Sequence, residues 1–231
     1  MRKIVLILLT SLLSLTTWGQ VRHIRPDSTA TIAYKSKAQY DALYALANSG
    51  DERANQILDD DVLYWELYSS VCSWYCGGEI LSVNASSHLA PIGNMTYEAE
   101  NAHDFDHERV WAEGVDGLGI GEYLEYEFPG DCPRITTVKI LNGYVKNEKV
   151  WKENARVRQL KMYYLGKPYA ILDLEDTRNL QYFNVGVLGH GPLDEDSTNW
   201  KLRFEILEVY EGEKYEDTVI SELYFDGIDV H

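Results

Sequence analysis

The spacing of apolar positions divides the chain into two regions with different periodicities. Residues 34–68 repeat apolar side chains every three to four positions, which predicts helix. Ser36 is placed to cap the first helix, and Gly50 is placed to end it. The apolar face of this first helix comprises four residues: Tyr40, Leu43, Tyr44 and Ala47.

A second helix is predicted to begin at Asp51, with Ala54, Ile57 and Leu58 as its buried stripe. The two segments together form an αα-hairpin. A single hairpin of this kind cannot bury its own apolar face, and the sequence contains no second copy to stack on it. We therefore interpret the hairpin as a helical cap packed on the rest of the chain. The alternative is an independent binding region.

From about residue 80 onward the pattern changes to strands. Short segments rich in Val, Ile, Tyr and Phe alternate with Gly, Asn, Asp and Pro. In residues 123–128, Leu124 and Tyr126 face one way and Glu125 and Glu127 the other. Because no helical segment separates these strands, a parallel α/β sheet is not expected. About eight strands at this spacing predict a mainly β, antiparallel jelly-roll β-sandwich.

The first residues have the features of a secretory signal peptide. Arg2 and Lys3 precede the apolar run IVLILLTSLLSL, and the exit sequence TTWGQ predicts cleavage after Gly19. The alternative is an uncleaved anchor, although the run is short for a membrane span. The predicted organisation is a signal peptide at 1–19, a helical cap at 20–69 and a β-sandwich domain at 70–231. We expect a periplasmic or extracellular protein that is not inserted in a membrane after cleavage.

Charge and cysteine content narrow the partners and the covalent structure. The net charge is −16, and a field of this sign repels nucleic acid and anionic lipid. In an exported chain, three cysteines predict one disulfide and one remaining thiol. We favour the pair Cys72–Cys132, with Cys76–Cys132 as the rival. A zinc site is the weaker interpretation, because C-x3-C without a second pair lacks zinc spacing.

The segment NAHDFDHERVWAEGVDGLGIGEYLEYEF, residues 101–128, concentrates the candidate chemistry. On a helix, His103 and His107 would share a face as zinc ligands, which would suit a divalent-metal-dependent hydrolase. The surrounding Asn, Asp and Gly residues favour a loop instead. The glycines of GLGIGE precede a strand rather than a helix, so they predict a turn and not a nucleotide-binding loop.

Oxygen ligands are better placed in this segment than nitrogen ligands. Asp104 and Asp106 alternate along the loop, and carboxylates together with main-chain carbonyls are the ligands that calcium prefers. The alternative is an Asx turn that holds no ion.

Nine segments of the chain resemble the discoidin-like (coagulation-factor type C) domains, and in particular the glycan-binding domain associated with bacterial NAD glycohydrolases. In chain order they are SWYCGG (73–78), ASS (85–87), NAHD (101–104), WAEG (111–114), GIGE (119–122), NGYVK (142–146), NARVRQLKM (154–162), VYEGEKYEDT (209–218) and ISELYF (220–225). The resemblance implies a galactose-binding-like jelly roll with a non-catalytic role in holding carbohydrate. The helical region lies outside it.

The resemblance also implies a structural calcium between the first D-x-D loop and a Glu on the last strand. The corresponding ligands here are Asp104, Asp106, Glu222 and the carbonyls of Asn101 and Ser221. The hydroxyl ligand expected two residues before Trp111 is Arg109, which cannot coordinate a cation. Arg109 can instead pair with Glu222 or Asp104 and replace the ion as a fixed positive charge.

Sugar recognition requires an aromatic face and planar polar groups. The loop NGYVKNEKVWKENAR supplies five candidates: Tyr144, Lys146, Trp151, Asn154 and Arg156. In the alternative, Asn142–Gly143 form a turn and Trp151 folds back as a lid on the core. We assign Trp111 to core packing, Trp74 to the junction between cap and sandwich, and Tyr215 to the ligand candidates.

The function predicted from these features is an exported, non-catalytic module that binds a glycan or glycoconjugate through loops at the end of the sandwich. One alternative is a metal-dependent hydrolase that uses His103 and His107. The other is an interaction scaffold that docks a protein partner through the helical hairpin.

Overall fold

The computed structural model describes residues 21–62, 64–65, 73–190 and 198–229. The predicted signal peptide and Cys72 lie outside the described residues, so export and the Cys72–Cys132 pair stay predictions. Among the described residues, Cys76 is an exposed free thiol and Cys132 a buried one, so the rival pair is not formed. No helix in the described part of the chain is long and apolar enough to cross a membrane.

The described residues contain eleven strands, joined in one hydrogen-bonded sheet that folds on itself. The strands are β1 (Arg22–Ile24), β2 (Ser28–Ala30), β3 (Ser82–Ala85), β4 (Trp111–Ala112), β5 (Tyr123–Phe128), β6 (Ile135–Asn142), β7 (Ala155–Tyr164), β8 (Lys167–Asp173), β9 (Leu180–Leu188), β10 (Trp200–Tyr210) and β11 (Thr218–Gly227). Three α-helices accompany them: α1 (Lys37–Asn48), α2 (Glu52–Asp59) and α3 (Glu148–Glu153). Short 3-10 turns cover Trp74–Cys76 and Ala99–Ala102.

The strand order is β2-β9-β6-β11-β7-β10-β5-β3, with β4 on β11 and β8 between β7 and β1. All neighbours are antiparallel except β1–β8 and β11–β7. The contact between β11 and β7 spans only Thr218↔Ala155 and Val219↔Arg156, and it joins the two halves of the sandwich. The predicted mainly β, antiparallel sandwich is therefore confirmed.

The alternation read from residues 123–128 is present in β5, where Leu124, Tyr126 and Phe128 are fully buried. Their partners in the core come from the opposite half of the sandwich, as Phe225 on β11 shows by contacting Tyr126 at a ring-centroid distance of 5.1 Å. Trp111 is also fully buried, and its Nε1 donates to the Ser87 carbonyl at 2.9 Å. The prediction that Trp111 belongs to the core is confirmed.

The predicted helical hairpin is present as α1 and α2. Ser36 caps α1 in a capping box with Gln39, and Gly50 ends the segment with φ of +93°. Tyr40 and Leu58 pack on the outer face of the sandwich in one cluster with Leu141 and Tyr224. The hairpin is thus a cap over strands β6, β9 and β11.

Two residues assigned to the apolar faces of the hairpin do not lie in its interface. Tyr44 is 53% exposed and Ile57 is 36% exposed. The prediction was wrong here because a short hairpin on a flat sheet buries only a narrow row of each helix, represented by Tyr40 and by Ala54 with Leu58.

Candidate functional site

A groove of about 300 Å³ opens at one end of the sandwich. We call it the tyrosine groove, because Tyr97, Tyr144 and Tyr215 line it from three separate loops. The remaining lining residues are Leu89, Ile92, Val110, Ala112, Val150, Glu153, Asn154, Asp217 and Val219. The groove lies where the segment before β4, the β6–α3 connection and the turn between β10 and β11 meet.

The floor of the tyrosine groove is a small apolar cluster separate from the main core. Val110, Ala112 and Val219 are buried there, with Tyr97 and Tyr144 packed against them. The Tyr144 hydroxyl donates to the Glu108 carbonyl at 3.1 Å, which fixes the ring. Burial, with smaller effects from Tyr97 and Glu108, raises the pKa of Tyr144 to about 12, so the hydroxyl stays protonated.

The rim of the groove carries exposed side chains. Tyr215 is 41% exposed and Ile92 is 64% exposed. The Tyr215 turn is held in place by α3, because the Glu153 carbonyl accepts from the Tyr215 amide at 2.8 Å and the Lys214 amide at 3.1 Å. The backbone on both sides of the groove is therefore fixed, while the aromatic edge remains open to a ligand.

The polar groups of the groove are Glu153, Asn154 and Asp217. The Asn154 side-chain amide donates to the Val150 carbonyl at 2.7 Å, which leaves its oxygen available. The Glu153 carboxylate lies 3.9 Å from the Lys149 ammonium, whose side chain is 80% exposed. Within the part of the chain that the structure describes, the half-buried Asp217 carboxylate has no hydrogen-bond or ion-pair partner.

Of the five sugar-contact candidates read from the sequence, Tyr144 and Asn154 line the groove. Trp151 is only 9% exposed, and its Nε1 donates to the Asn142 carbonyl at 2.9 Å. Trp151 is therefore the lid on the core that the alternative interpretation described. Lys146 lies outside the groove, with its ammonium 4.0 Å from the Glu108 carboxylate.

Arg156 is also a structural residue rather than a surface ligand. It is 7% exposed and forms a two-bond ion pair with Asp176 at 2.8 and 3.1 Å. Its guanidinium lies 4.5 Å from the centroid of the Trp151 ring. The turn beneath this pair requires a left-handed residue, because Gly143 has φ of +80° and a Cβ there would meet both side chains.

Tyr97, Ile92 and Asp217 complete the groove but were not selected from the sequence. Ile92 and Tyr97 fall in a segment that matches none of the quoted motifs, and Asp217, far along the chain from them, falls within VYEGEKYEDT but has no local pattern that marks it as a ligand. Only Tyr215 offered a signal, since it follows strand β10 in a polar turn and has no core position to occupy.

A second candidate region lies where the 101–109 loop meets β11. Glu222 is fully buried, and among the described residues no side chain bonds its carboxylate, which faces only the backbone amides of Phe105 and Asp106. Burial, followed by the negative charges of Asp104 and Asp106, raises the pKa of Glu222 well above its usual range. Burial also raises the pKa of Asp104 to about 6, in spite of the nearby Arg109.

Arg109 takes up one side of this region. Its guanidinium lies 2.9 Å from Asp104 Oδ2 and donates to Asn101 Oδ1 at 2.5 Å. The expected pairing with Asp104 is therefore present, whereas no contact with Glu222 is found among the described residues. Ser221 is buried, and its hydroxyl donates to the Gly143 carbonyl at 2.7 Å.

The oxygen atoms around Glu222 are of the type that binds calcium. The buried carboxylate of Glu222 is a hard oxygen ligand of the kind that calcium takes. The Asp104 oxygens already have protein partners, since Oδ2 lies 2.9 Å from the Arg109 guanidinium and Oδ1 accepts from the Asp106 amide at 2.9 Å. Asp106 is engaged differently, because its Oδ1 accepts from the Glu108 amide at 3.1 Å in an Asx turn. The described residues contain no cluster of three His, Cys, Asp or Glu side chains positioned to hold a metal.

The two histidines of the HDFDH segment have separate environments. His103 Nδ1 lies 2.9 Å from the Leu223 carbonyl, and burial lowers the pKa of His103 to about 4. His107 instead contacts the ring of Tyr34 at a centroid distance of 5.5 Å. The segment is a loop and not a helix, so the shared face needed for zinc is not formed.

The GLGIGE segment is a turn, as predicted. Gly117, Gly119 and Gly121 all have positive φ, and β5 follows directly. At Gly119 a Cβ would also meet the side chain of Glu113, which anchors β11 by accepting from the Thr218 amide at 3.2 Å.

A comparison with protein families gives a match that covers most of the β-sandwich. The model of the family described as NAD glycohydrolase translocation F5/8 type C domain matches residues 74–226. The chain belongs to this family. The matched residues include the tyrosine groove and the Glu222 region, and they exclude the helical hairpin. No curated protein matches the chain.

Solved structures similar to the F5/8 type C chain include two of the CBM32-1 and CBM32-2 domains of Clostridium perfringens ZmpB. The first is 16% identical, with a TM-score of 0.44, over 64% of this chain and 34% of its own. The second, in complex with GalNAc, is 16% identical with a TM-score of 0.44, over 64% and 33%. The arabinofuranosyltransferase AftD from Mycobacteria is 12% identical with a TM-score of 0.42, over 65% and 11%. The chain thus spans about a third of the ZmpB chains and about a ninth of AftD.

Proposed function

We propose that this F5/8 type C chain is a non-catalytic binding module that holds a carbohydrate or glycoconjugate in the tyrosine groove. The observation that carries the proposal is the meeting of three tyrosines from separate loops with planar polar groups in one groove of about 300 Å³. A space of this size is at the lower end of small-molecule sites and suits one or two sugar rings.

The chemistry of the groove matches the two faces of a sugar. The C–H face of a pyranose packs on an aromatic ring, for which aromatic contacts give about 0.5–1.5 kcal/mol beyond area burial. The exposed ring of Tyr215 is the platform that we assign to this contact. Asn154 and Asp217 then accept hydrogen bonds from adjacent hydroxyl groups at the polar side of the groove.

We propose in addition that the Glu222 region holds a structural cation, with calcium as the best match to its oxygens. Glu222 and Asp104 would supply carboxylate oxygens, and carbonyls of the loop, those of Asn101 and Ser221 among them, would complete the set. The cation would fix the loop to β11, while Arg109 fixes the opposite side of Asp104. Its role would be stability of the loop and not chemistry on the ligand.

The proposed setting is outside the cytoplasm, in line with the signal-peptide features of residues 1–19. There the module would attach to a glycan or glycoconjugate of a surface or matrix, with no nucleic-acid partner. The helical hairpin would serve as a cap on the sandwich, consistent with its packing through Tyr40 and Leu58.

The test is a glycan array followed by isothermal titration with the strongest hit. Tyr215→Ala is expected to weaken binding by at least tenfold without lowering the melting temperature, because Tyr215 is 41% exposed. Tyr44→Ala is the matched control, since Tyr44 is a 53% exposed tyrosine on α1 outside the groove.

Two results would contradict the proposal: an array without any hit, or binding that Tyr215→Ala and Tyr44→Ala affect equally. Recovery of the sugar unchanged after prolonged incubation checks the non-catalytic role. Release of a hydrolysed product by the purified wild-type chain would exclude it.

A further inference from the structure

We propose that the tyrosine groove selects glycans that carry a free ammonium group, as in an unacetylated amino sugar, over the corresponding neutral and acidic sugars. This inference rests on the proposed function, because it names the class of sugar that the same groove takes. It comes from the charges and the aromatic rings that line the groove.

The first observation is the sign of the charge. Among the described residues that line the groove, the ionisable groups at neutral pH are Glu153 and Asp217, both acidic. The lining contains no Lys, Arg or His. The whole chain adds a net charge of −16 in the same direction. The field in the groove therefore attracts cations and repels carboxylates and sulfates.

The second observation is that these carboxylates lack effective compensation. Asp217 has no hydrogen-bond or ion-pair partner within the described residues. Glu153 meets the Lys149 ammonium, at 3.9 Å, on a side chain that is 80% exposed, and the charge of the exposed Lys214. An exposed pair of this kind contributes little and is screened by salt. The groove thus offers two carboxylates to a ligand.

The third observation is the aromatic wall. Tyrosine rings attract an ammonium over their faces through the ring quadrupole. The ring of Tyr215 already does so, since the Lys214 Nζ lies 4.5 Å from its centroid. The negative charge of Asp217 also acts on a second ring of the groove, that of Tyr97. Burial and then this charge raise the pKa of Tyr97.

A primary ammonium on a sugar fits these features together. Its three N–H groups donate charge-assisted hydrogen bonds to carboxylates, and its positive charge contacts the tyrosine faces. N-acetylation removes the charge, so an acetylated sugar keeps only stacking and neutral hydrogen bonds. A uronic or sialic acid places a third negative charge beside Glu153 and Asp217.

The test uses isothermal titration of the wild-type chain with matched monosaccharides and short oligomers at pH 6. The probes are glucosamine, N-acetylglucosamine and glucuronic acid, together with the three galactose counterparts. We expect the amine to bind about tenfold more tightly than the acetylated sugar and the acid to bind weakest. Added salt should reduce this preference, because the carboxylates are only partly buried.

Asp217→Asn is the informative variant, since the amide keeps the shape and removes the charge. It should reduce the ratio of amine to acetylated affinity, and its combination with Glu153→Gln should bring that ratio close to one, while the affinity for the acetylated sugar changes by less than about twofold. Glu216→Gln is the control, because Glu216 is an exposed neighbour that does not line the groove, and it should leave the ratio unchanged.

The outcomes separate the two proposals. Equal affinity of the wild type for the amine and the acetylated sugar would overturn this inference and leave the proposed function standing. A preference for the amine that survives in Asp217→Asn combined with Glu153→Gln would also overturn it. Failure of every probe and of a broad array would overturn both.

Discussion

The chain places two carboxylates without basic partners at the two ends of one short stretch, and their surroundings give them different roles. Asp217, just before β11, is half-buried beside the tyrosines of the groove. Glu222, within β11, is fully buried against the 101–109 loop. Among the described residues, neither carboxylate is paired with a basic side chain or bonded by another side chain.

The difference between the two regions is access to water. Asp217 keeps part of its hydration, so it can exchange water for a ligand. Glu222 has no such option, because a fully buried carboxylate requires a proton or a cation. The degree of burial therefore decides whether an acidic side chain without a basic partner can contact a ligand in a groove or serves as an internal structural site.

The largest effect on stability is expected at Trp151, the buried residue that follows Val150 of the groove. Trp151→Ala should lower the free energy of unfolding by about 3–5 kcal/mol, because it removes a buried aromatic side chain. Chemical denaturation measures this change. Tyr215→Ala, the matched aromatic variant at the open rim, should change it by less than about 0.5 kcal/mol. Equal effects of the two substitutions would remove the contrast between lid and rim.

The next largest effect is a change in melting temperature with calcium, which shows whether Glu222 is neutralised by a cation or by a proton. If calcium occupies the site, a hundredfold excess over its dissociation constant stabilises the wild type by about 2.7 kcal/mol. The melting temperature should then rise in calcium and fall back in a chelator. Glu222→Gln should abolish the response and, in chelator, should melt above the wild type near neutral pH, because the wild-type carboxyl must take up a proton to be buried and an amide needs none.

Glu211→Gln provides the control for this experiment, since Glu211 is exposed. It should keep the calcium response of the wild type. A wild-type melting temperature that is identical in calcium and chelator would contradict the cation and favour Arg109, through its pair with Asp104, as the charge that replaces the ion.

A smaller effect concerns Arg109, whose side chain is 47% exposed in its pair with Asp104. Arg109→Thr should destabilise the calcium-free chain by about 1 kcal/mol, since a partly exposed ion pair contributes no more than that. In calcium the variant should recover, because a hydroxyl is an oxygen ligand. Thermal melts with and without calcium provide the measurement, and no recovery would show that the loop cannot accommodate the ion there.

Local patterns were sufficient to predict the sandwich and the hairpin. The alternation in β5 requires one face to be buried, and Ser36 with Gly50 bounds α1. Strands β1 and β2 escaped prediction, since three residues are too few to show a period. They are formed by pairing with β8 and β9, which the local sequence does not encode.

The groove was predictable only in part, because its residues converge from distant loops. Tyr144 and Asn154 were found through the loop that contains them, but the same loop also supplied Trp151 and Arg156, which turned inward. An aromatic side chain in a loop stays exposed unless the fold contains a space in the core that it can fill. That position exists beside Asn142 for Trp151 and does not exist for Tyr215.

The most direct test of the central claim is an NMR titration of the isotope-labelled protein with the sugar that binds best. We predict that the backbone amide shifts cluster at Tyr97, Asn154 and Asp217 and are absent from Tyr215→Ala. A cluster on the sheet face formed by Glu125, Tyr163 and Arg203, or no change at saturating sugar, would contradict the account.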